Sequence, residues 1–212
     1  MYIERARLDL AFHAGAIEHE EYGPARLQRV DAAFLEMPTG ELVASDPFPI
    51  DHRLSDPFTT RLPQGRYPVV LSVVRFDDGG ERVAFAILRI VDEPVKRWEP
   101  MTFPGHDVAT LAGDEYFGYG VDSGLGCFAD ACTARAYERR LQTEPTYFRK
   151  MGASLPPRML ATEFRPQGED GPNMIVFSAG FGDGSYATFA GRTQDGRIAA
   201  VVTDFQVFAP PE

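Results

Sequence analysis

Asn173-Met174-Ile175-Val176-Phe177-Ser178-Ala179-Gly180-Phe181-Gly182-Asp183-Gly184-Ser185-Tyr186 opens the part of the chain that decides its fold. Ala187 to Thr193, the tetrad Gln194-Asp195-Gly196-Arg197 and the run Ile198 to Phe208 complete it. Asp-Gly between two apolar runs predicts a β-hairpin. A two-residue loop at Asp195-Gly196 sets Ala187 opposite Asp204, Phe189 opposite Val202 and Gly191 opposite Ala200. Strand alternation then puts Ile198, Ala200, Val202 and Asp204 on one face, and Ala199, Val201, Thr203, Phe205 and Val207 on the other. Both faces are largely apolar, so the strand is expected to be covered on both sides. Asp204 becomes a carboxylate on an apolar face and needs a partner or a raised pKa.

Outward from this stretch, strand signals dominate. Arg66 to Phe76 and Arg82 to Val91 flank Asp77-Asp78-Gly79-Gly80 and read as a second hairpin. Leu27 to Leu35 and Glu41 to Ser45 flank Pro38-Thr39-Gly40 and read as a third. Ala6, Leu8, Leu10 and Phe12 alternate as in a strand. Residues 46–64 are proline-rich and read as an irregular loop. Tyr116 to Val121 is a short strand leading into Asp122-Ser123-Gly124. Ala131 to Leu141 is built of helix formers and is bounded by Pro145. A short helix is expected around Tyr147 to Met151, and Trp98 is expected to pack beneath a loop. The fold class is α+β, a single domain over 1–212, mainly antiparallel β-hairpins with one main helix after the Val121-Asp122-Ser123-Gly124 turn.

Composition narrows the function classes. The 212 residues carry 31 acidic and 21 basic side chains, a formal net charge of −10. That balance argues against nucleic acid and anionic membrane as partners, because phosphate binding rests on clustered Lys and Arg. No run of about 18 apolar residues suggests a membrane span. The early charges Glu4, Arg5, Arg7 and Asp9 exclude a signal-peptide core there. Cys127 and Cys132, read onto one helix, point roughly 140° apart and should stay free thiols, which suits the cytoplasm.

Several motifs bear on chemistry. Asp122-Ser123-Gly124 has the look of an aspartic-protease turn, but no second such triplet exists for a shared proton. Cys127, read near a helix N-terminus, is a conceivable nucleophile with His13, His19, His52 or His106, although none of these stands in a motif. The glycines at 118–126 and 180–184 lack the Lys and spacing of a phosphate loop. Asp122, Asp130, Asp183 and Asp204 are the residues from which a hard-cation site would be made, at no known calcium-loop spacing.

A resemblance adds to this reading. Pro38-Thr39-Gly40, Ser45-Asp46-Pro47-Phe48, Leu62-Pro63-Gln64-Gly65-Arg66-Tyr67-Pro68-Val69, Arg97-Trp98-Glu99, Gly120-Val121-Asp122-Ser123-Gly124 and Cys127-Phe128-Ala129-Asp130 occur in that order. Ser178 to Tyr186 and Val202-Thr203-Asp204-Phe205 follow them. Together they resemble the bacterial domain-of-unknown-function family 4241, which implies a shared architecture and no set activity. The expected role is a non-enzymatic binding or accessory protein. Its surface comprises Asp122, Ser123, Gly124, Asp130, Gly182, Asp183, Gly184, Ser185, Tyr186 and Asp204, with a protein partner and no cofactor, metal, nucleic acid or membrane. The alternative is a hydrolase or cation-dependent enzyme using the aspartate cluster. The two glycine-aspartate turns, 120–126 and 180–186, are expected side by side, joined there by the positive end of the helix starting near Cys127.

Overall fold

The apolar run before the glycines forms strand β10, Met174–Ser178, and its alternation explains why it is apolar throughout. Met174 and Val176 belong to one hydrophobic cluster and Ile175 and Phe177 to another. The strand is buried between two layers, so both of its faces must be apolar. The computed structural model describes residues 5–51, 53–112, 115–144 and 146–208. Pro145 and His52, both named above, lie outside the described residues.

The fold is α+β with two antiparallel sheets. The larger contains β1 (Gly15–His19), β2 (Gly23–Met37), β4 (Gly65–Phe76), β5 (Glu81–Arg89), β12 (Ile198–Asp204), β11 (Gly184–Arg192) and β6 (Arg97–Pro100), in that order. A further strand, β7 (Gly118–Val121), also pairs with β11. The smaller sheet runs β3 (Leu42–Ser45), β8 (Leu125–Asp130), β10 and β9 (Ala161–Phe164). Its inner face carries Leu42, Ala44, Phe128, Ile175 and Phe177 into the core shared with the large sheet. Its outer face carries Val43, Cys127, Ala129, Met174 and Val176 against helices α2 (Ala131–Thr143) and α3 (Tyr147–Ser154).

The hairpin of β11 and β12 has the expected pairing, with Phe189 opposite Val202 and Gly191 opposite Ala200. Its turn is one residue longer than expected. Thr193 N–H donates to Arg197 O (2.8 Å), and Gly196, at φ +87°, closes a three-residue loop. A bulge beside Gly191 and Arg192 absorbs the extra residue, so the expected register holds beyond it. All seven residues of β12 are buried. The small sheet supplies one cover, and the N-terminal helix α1 (Arg5–Asp9) with the 3₁₀ turn Leu10–Phe12 supplies the other.

Four readings are corrected. Residues 5–12 are helical rather than a strand: Leu8 and Ala11, three apart, face the core. Pro38-Thr39-Gly40 is not a hairpin turn. It carries the chain from β2 in the large sheet to β3 in the small one, and β2 pairs with β1 and β4 instead. The main helix does not follow the Asp122 turn directly, because β8 intervenes. Cys127 therefore lies in a strand and Cys132 in the helix; both are free, but not by helical spacing. The 143–172 connection also contains a strand, β9, which no periodicity in the sequence revealed.

Candidate functional site

Both glycine-aspartate turns pass the chain between the sheets at one corner. The first leads from β7 in the large sheet to β8 in the small one, and the second from β10 back to β11. The strands they join are paired: Ser178 with Leu125 between β10 and β8, and Gly184 with Val121 and Ser185 with Gly120 between β11 and β7. The turns consequently touch. Ala179 N–H donates to Gly124 O (3.0 Å), and a side chain on Gly124 would meet Gly182 Cα at 3.8 Å.

The first turn is held by a residue absent from the sequence-derived site. Asp46, buried, accepts from Asp122 N–H and Ser123 N–H at Oδ2 (both 2.8 Å) and from Ser123 Oγ at Oδ1 (2.7 Å). Oδ1 also accepts from Phe48 N–H (2.7 Å). One carboxylate thus satisfies four donors and fixes the turn's direction. The second turn is held by backbone. Gly180 N–H donates to Val83 O (3.2 Å) and Gly182 N–H to Ala179 O (2.7 Å), while Tyr186 Oη donates to Gly182 O (2.8 Å). Gly180 must be glycine, since its φ is +45° and a Cβ would lie 2.7 Å from Phe205 O.

The aspartates divide into two kinds. Asp122 and Asp183 are exposed, and neither side chain makes a hydrogen bond or ion pair among the described residues. Asp130 and Asp204 are structural. Asp130 lies at the other end of β8, fully buried, where it caps α2 through Cys132 N–H (3.0 Å) and accepts from Thr39 and Gly40. Asp204 accepts from Gln206 N–H (2.8 Å) and stands 2.6 Å from Arg7 Nη2. Burial raises its pKa, and the Arg7 charge opposes that shift. The partner and the raised pKa expected from the sequence are both present. Among the described residues, no group of three or more His, Cys, Asp or Glu is placed to hold a metal ion.

Ser185 is exposed, and its carbonyl accepts from Tyr116 Oη (2.9 Å). Tyr186 is buried, and its phenol is pushed up by burial first and by the Asp183 charge next. Gly182 N–H is consumed within its own turn. Helix α2 begins at Ala131, so its positive end is away from this corner. Cys127 has no nucleophile's setting: burial, then the Asp46 charge, pushes its thiol up.

A cleft of about 560 Å³ opens beside the paired turns. It is lined by Gly124, Gly180, Phe181 and Gly182, by Arg82 on β5, and by Arg158 on the approach to β9. Phe181 is 51% exposed, lies 5.4 Å from the Arg82 guanidinium and stacks on the exposed Tyr22 at 5.8 Å. On the other side of the first turn, a second cleft of about 530 Å³ carries Asp46, Asp51, Asp56 and Asp122. Asp46, Arg82 and Arg158 were not singled out in the sequence. They lie 75 or fewer residues from the nearest turn in the chain, but no spacing links them to it.

Against known sequences, the family described as a protein of unknown function, DUF4241, matches residues 35–203. The chain belongs to the DUF4241 family. Neither the curated proteins nor the solved structures yielded a significant match. Every residue of the two turns lies within the span matched by DUF4241. Of the arginine-lined cleft, Arg82 and Arg158 lie within it as well, while Tyr22 and the α1 cover fall outside.

Proposed function

We propose that this protein is a non-enzymatic binding or accessory protein, and that the corner formed by its two glycine-aspartate turns is the contact surface for a protein partner. The observation that carries the reading is the β7–β11 pairing of Gly184 with Val121 and Ser185 with Gly120, which joins turns some sixty residues apart into one surface. That surface presents an exposed Phe181–Tyr22 stack beside Arg82, the aromatic and arginine composition of interface anchors. Asp122 and Asp183 stand at the same corner without a partner among the described residues. The net charge of −10 favours a protein over nucleic acid or an anionic membrane. No described helix is long and apolar enough to cross a membrane. Two free cysteines suit a reducing compartment, and we place the protein in the cytoplasm on that basis.

The aspartate-cluster alternative finds little support in the geometry: Asp130 and Asp204 are each engaged by structural partners, and among the described residues no three such groups are placed to share a metal ion. A photo-crosslinking residue introduced at Asp183, with one at the exposed Phe34, beside Asn173 at the opposite end of β10, as control, tests the binding reading in cells. A discrete crosslinked protein from position 183, missing from position 34 and diminished by Phe181→Ala, is expected. Identical patterns from both positions would remove the assignment.

A further inference from the structure

We infer that the cleft beside the two turns binds an acidic peptide segment of the partner, with Arg82 and Arg158 taking its carboxylates and Phe181 and Tyr22 its apolar side chains. This deepens the binding reading and rests on it. In a chain with ten more acidic than basic residues, eleven described arginines are matched to carboxylates, among them Arg7 to Asp204, Arg165 to Glu36 and Glu163, and Arg197 to Asp195 and Glu93. Arg82 and Arg158 have no carboxylate partner among the described residues, and both line one concavity. The one acidic residue lining that cleft, Glu81, already engages Arg75 at 3.2 Å. Among its described lining residues the cleft therefore presents two guanidinium groups and no unengaged carboxylate.

Geometry adds direction. The Arg82 guanidinium is held by its contact with Phe181 and by an Nη1 donation to Glu81 O (2.7 Å), leaving further N–H donors free. Arg158 is exposed and makes no hydrogen bond or ion pair among the described residues. It also holds φ +55°, a conformation that L side chains rarely adopt, and only Gln206 shares such a φ among the described non-glycine residues. Met159 and Leu160 follow it along the wall, and Ser178 ties that wall to β10 through Ser178 N–H to Leu160 O (3.0 Å) and Ser178 Oγ to Met159 O (2.6 Å). The Phe181–Tyr22 stack continues the apolar floor beyond the cleft, which favours an extended segment over a single small anion. Guanidinium groups pair with carboxylates in a planar two-bond geometry, and the aromatic neighbour strengthens such contacts by excluding water.

The test titrates isotopically labelled protein with the capped tetrapeptide Glu-Leu-Glu-Leu, with Lys-Leu-Lys-Leu, and with acetate. The glutamate peptide is expected to shift the amide signals of Gly124, Gly180 and Gly182, with the lysine peptide silent. Arg82→Ala with Arg158→Ala is expected to weaken binding at least tenfold. Arg158→Gly, which relieves the positive φ, is expected to weaken binding without lowering the thermal midpoint, separating recognition from folding. Equal binding of both peptides, no shift in these glycines, or the same shifts at the same affinity with acetate would each overturn the inference. Crosslinking from position 183 that persists while the glutamate peptide fails to bind leaves the contact surface standing and removes only its acidic ligand.

Discussion

Asp46 shows how much can rest on one side chain. Its carboxylate is the common acceptor for the Asp122 and Ser123 amides, the Ser123 hydroxyl and the Phe48 amide. Asp46→Ala strands these donors at the corner between the sheets. Solvent reaches Ser123, so the cost should be about 2–3 kcal/mol rather than the sum of four buried losses. Urea unfolding measures it, and a cost under about 0.5 kcal/mol would show that the turn holds without its acceptor. Asp204 carries a pH signature instead. Burial makes the folded protein hold this proton more tightly than the unfolded chain, in which the group titrates at about 3.9. The stability it contributes is complete below about pH 4 and is lost as pH rises through the folded value. Asp204→Asn carries no charge to desolvate. The difference in unfolding free energy between the two proteins should therefore move in the variant's favour as pH rises from about 4 to 7. Parallel pH profiles would contradict the raised pKa.

At the level of elements, the two turn types respond differently to the same substitution. Gly196 closes the β11–β12 loop at φ +87° with nothing within 4 Å of an added Cβ. Gly196→Ala meets only the backbone penalty of a left-handed residue, about 1 kcal/mol. Gly180→Ala adds a clash with Phe205 O at 2.7 Å to a similar penalty and should cost at least twice as much. Thermal or urea denaturation of both variants decides the matter; equal costs would mean that the corner has room that the structure does not show. The hairpin also shows why its register was legible while its loop was not. The apolar alternation on β11 and β12 is set by burial, and a one-residue slip would exchange their faces. Burial is indifferent to whether the loop has two residues or three, provided that a bulge restores the register, as it does beside Gly191.

Across the whole molecule, the cysteines report the layering. Cys127 lies in the strand between the sheet core and the helices, whereas Cys132 is partly accessible on α2. The Cys132 thiol is pushed up to about 11 by burial and by the neighbouring Asp130. In the native protein near pH 8, Ellman's reagent should react slowly with Cys132 and not with Cys127. Reaction at Cys132 should quicken as pH rises toward 11, and in denaturant two thiols should react at once. Fast reaction of both in the folded state would contradict the three-layer packing of the small sheet.

What the sequence determined by itself is local or face-specific. The 65–89 hairpin, the pairing of β11 with β12, the doubly buried β12, the need of Asp204 for compensation and the helix at 131–143 all follow from alternation, turn chemistry and the cost of burying charge. Those rules act over neighbouring residues or directly paired strands. Tertiary structure decided which sheet each strand joined. Pro38-Thr39-Gly40 has turn residues whether the chain doubles back or crosses to another sheet, and the choice is made by Asp130, which accepts from Thr39 and Gly40 across some ninety residues. Likewise, Asp122 and Asp130 look alike in the chain, but one is exposed at the corner and the other is a buried cap. Asp46, Arg82 and Arg158 meet the two turns only in three dimensions. Their roles rest on hydrogen bonds and a shared cleft between segments far apart in sequence, and no periodicity records contacts of that kind.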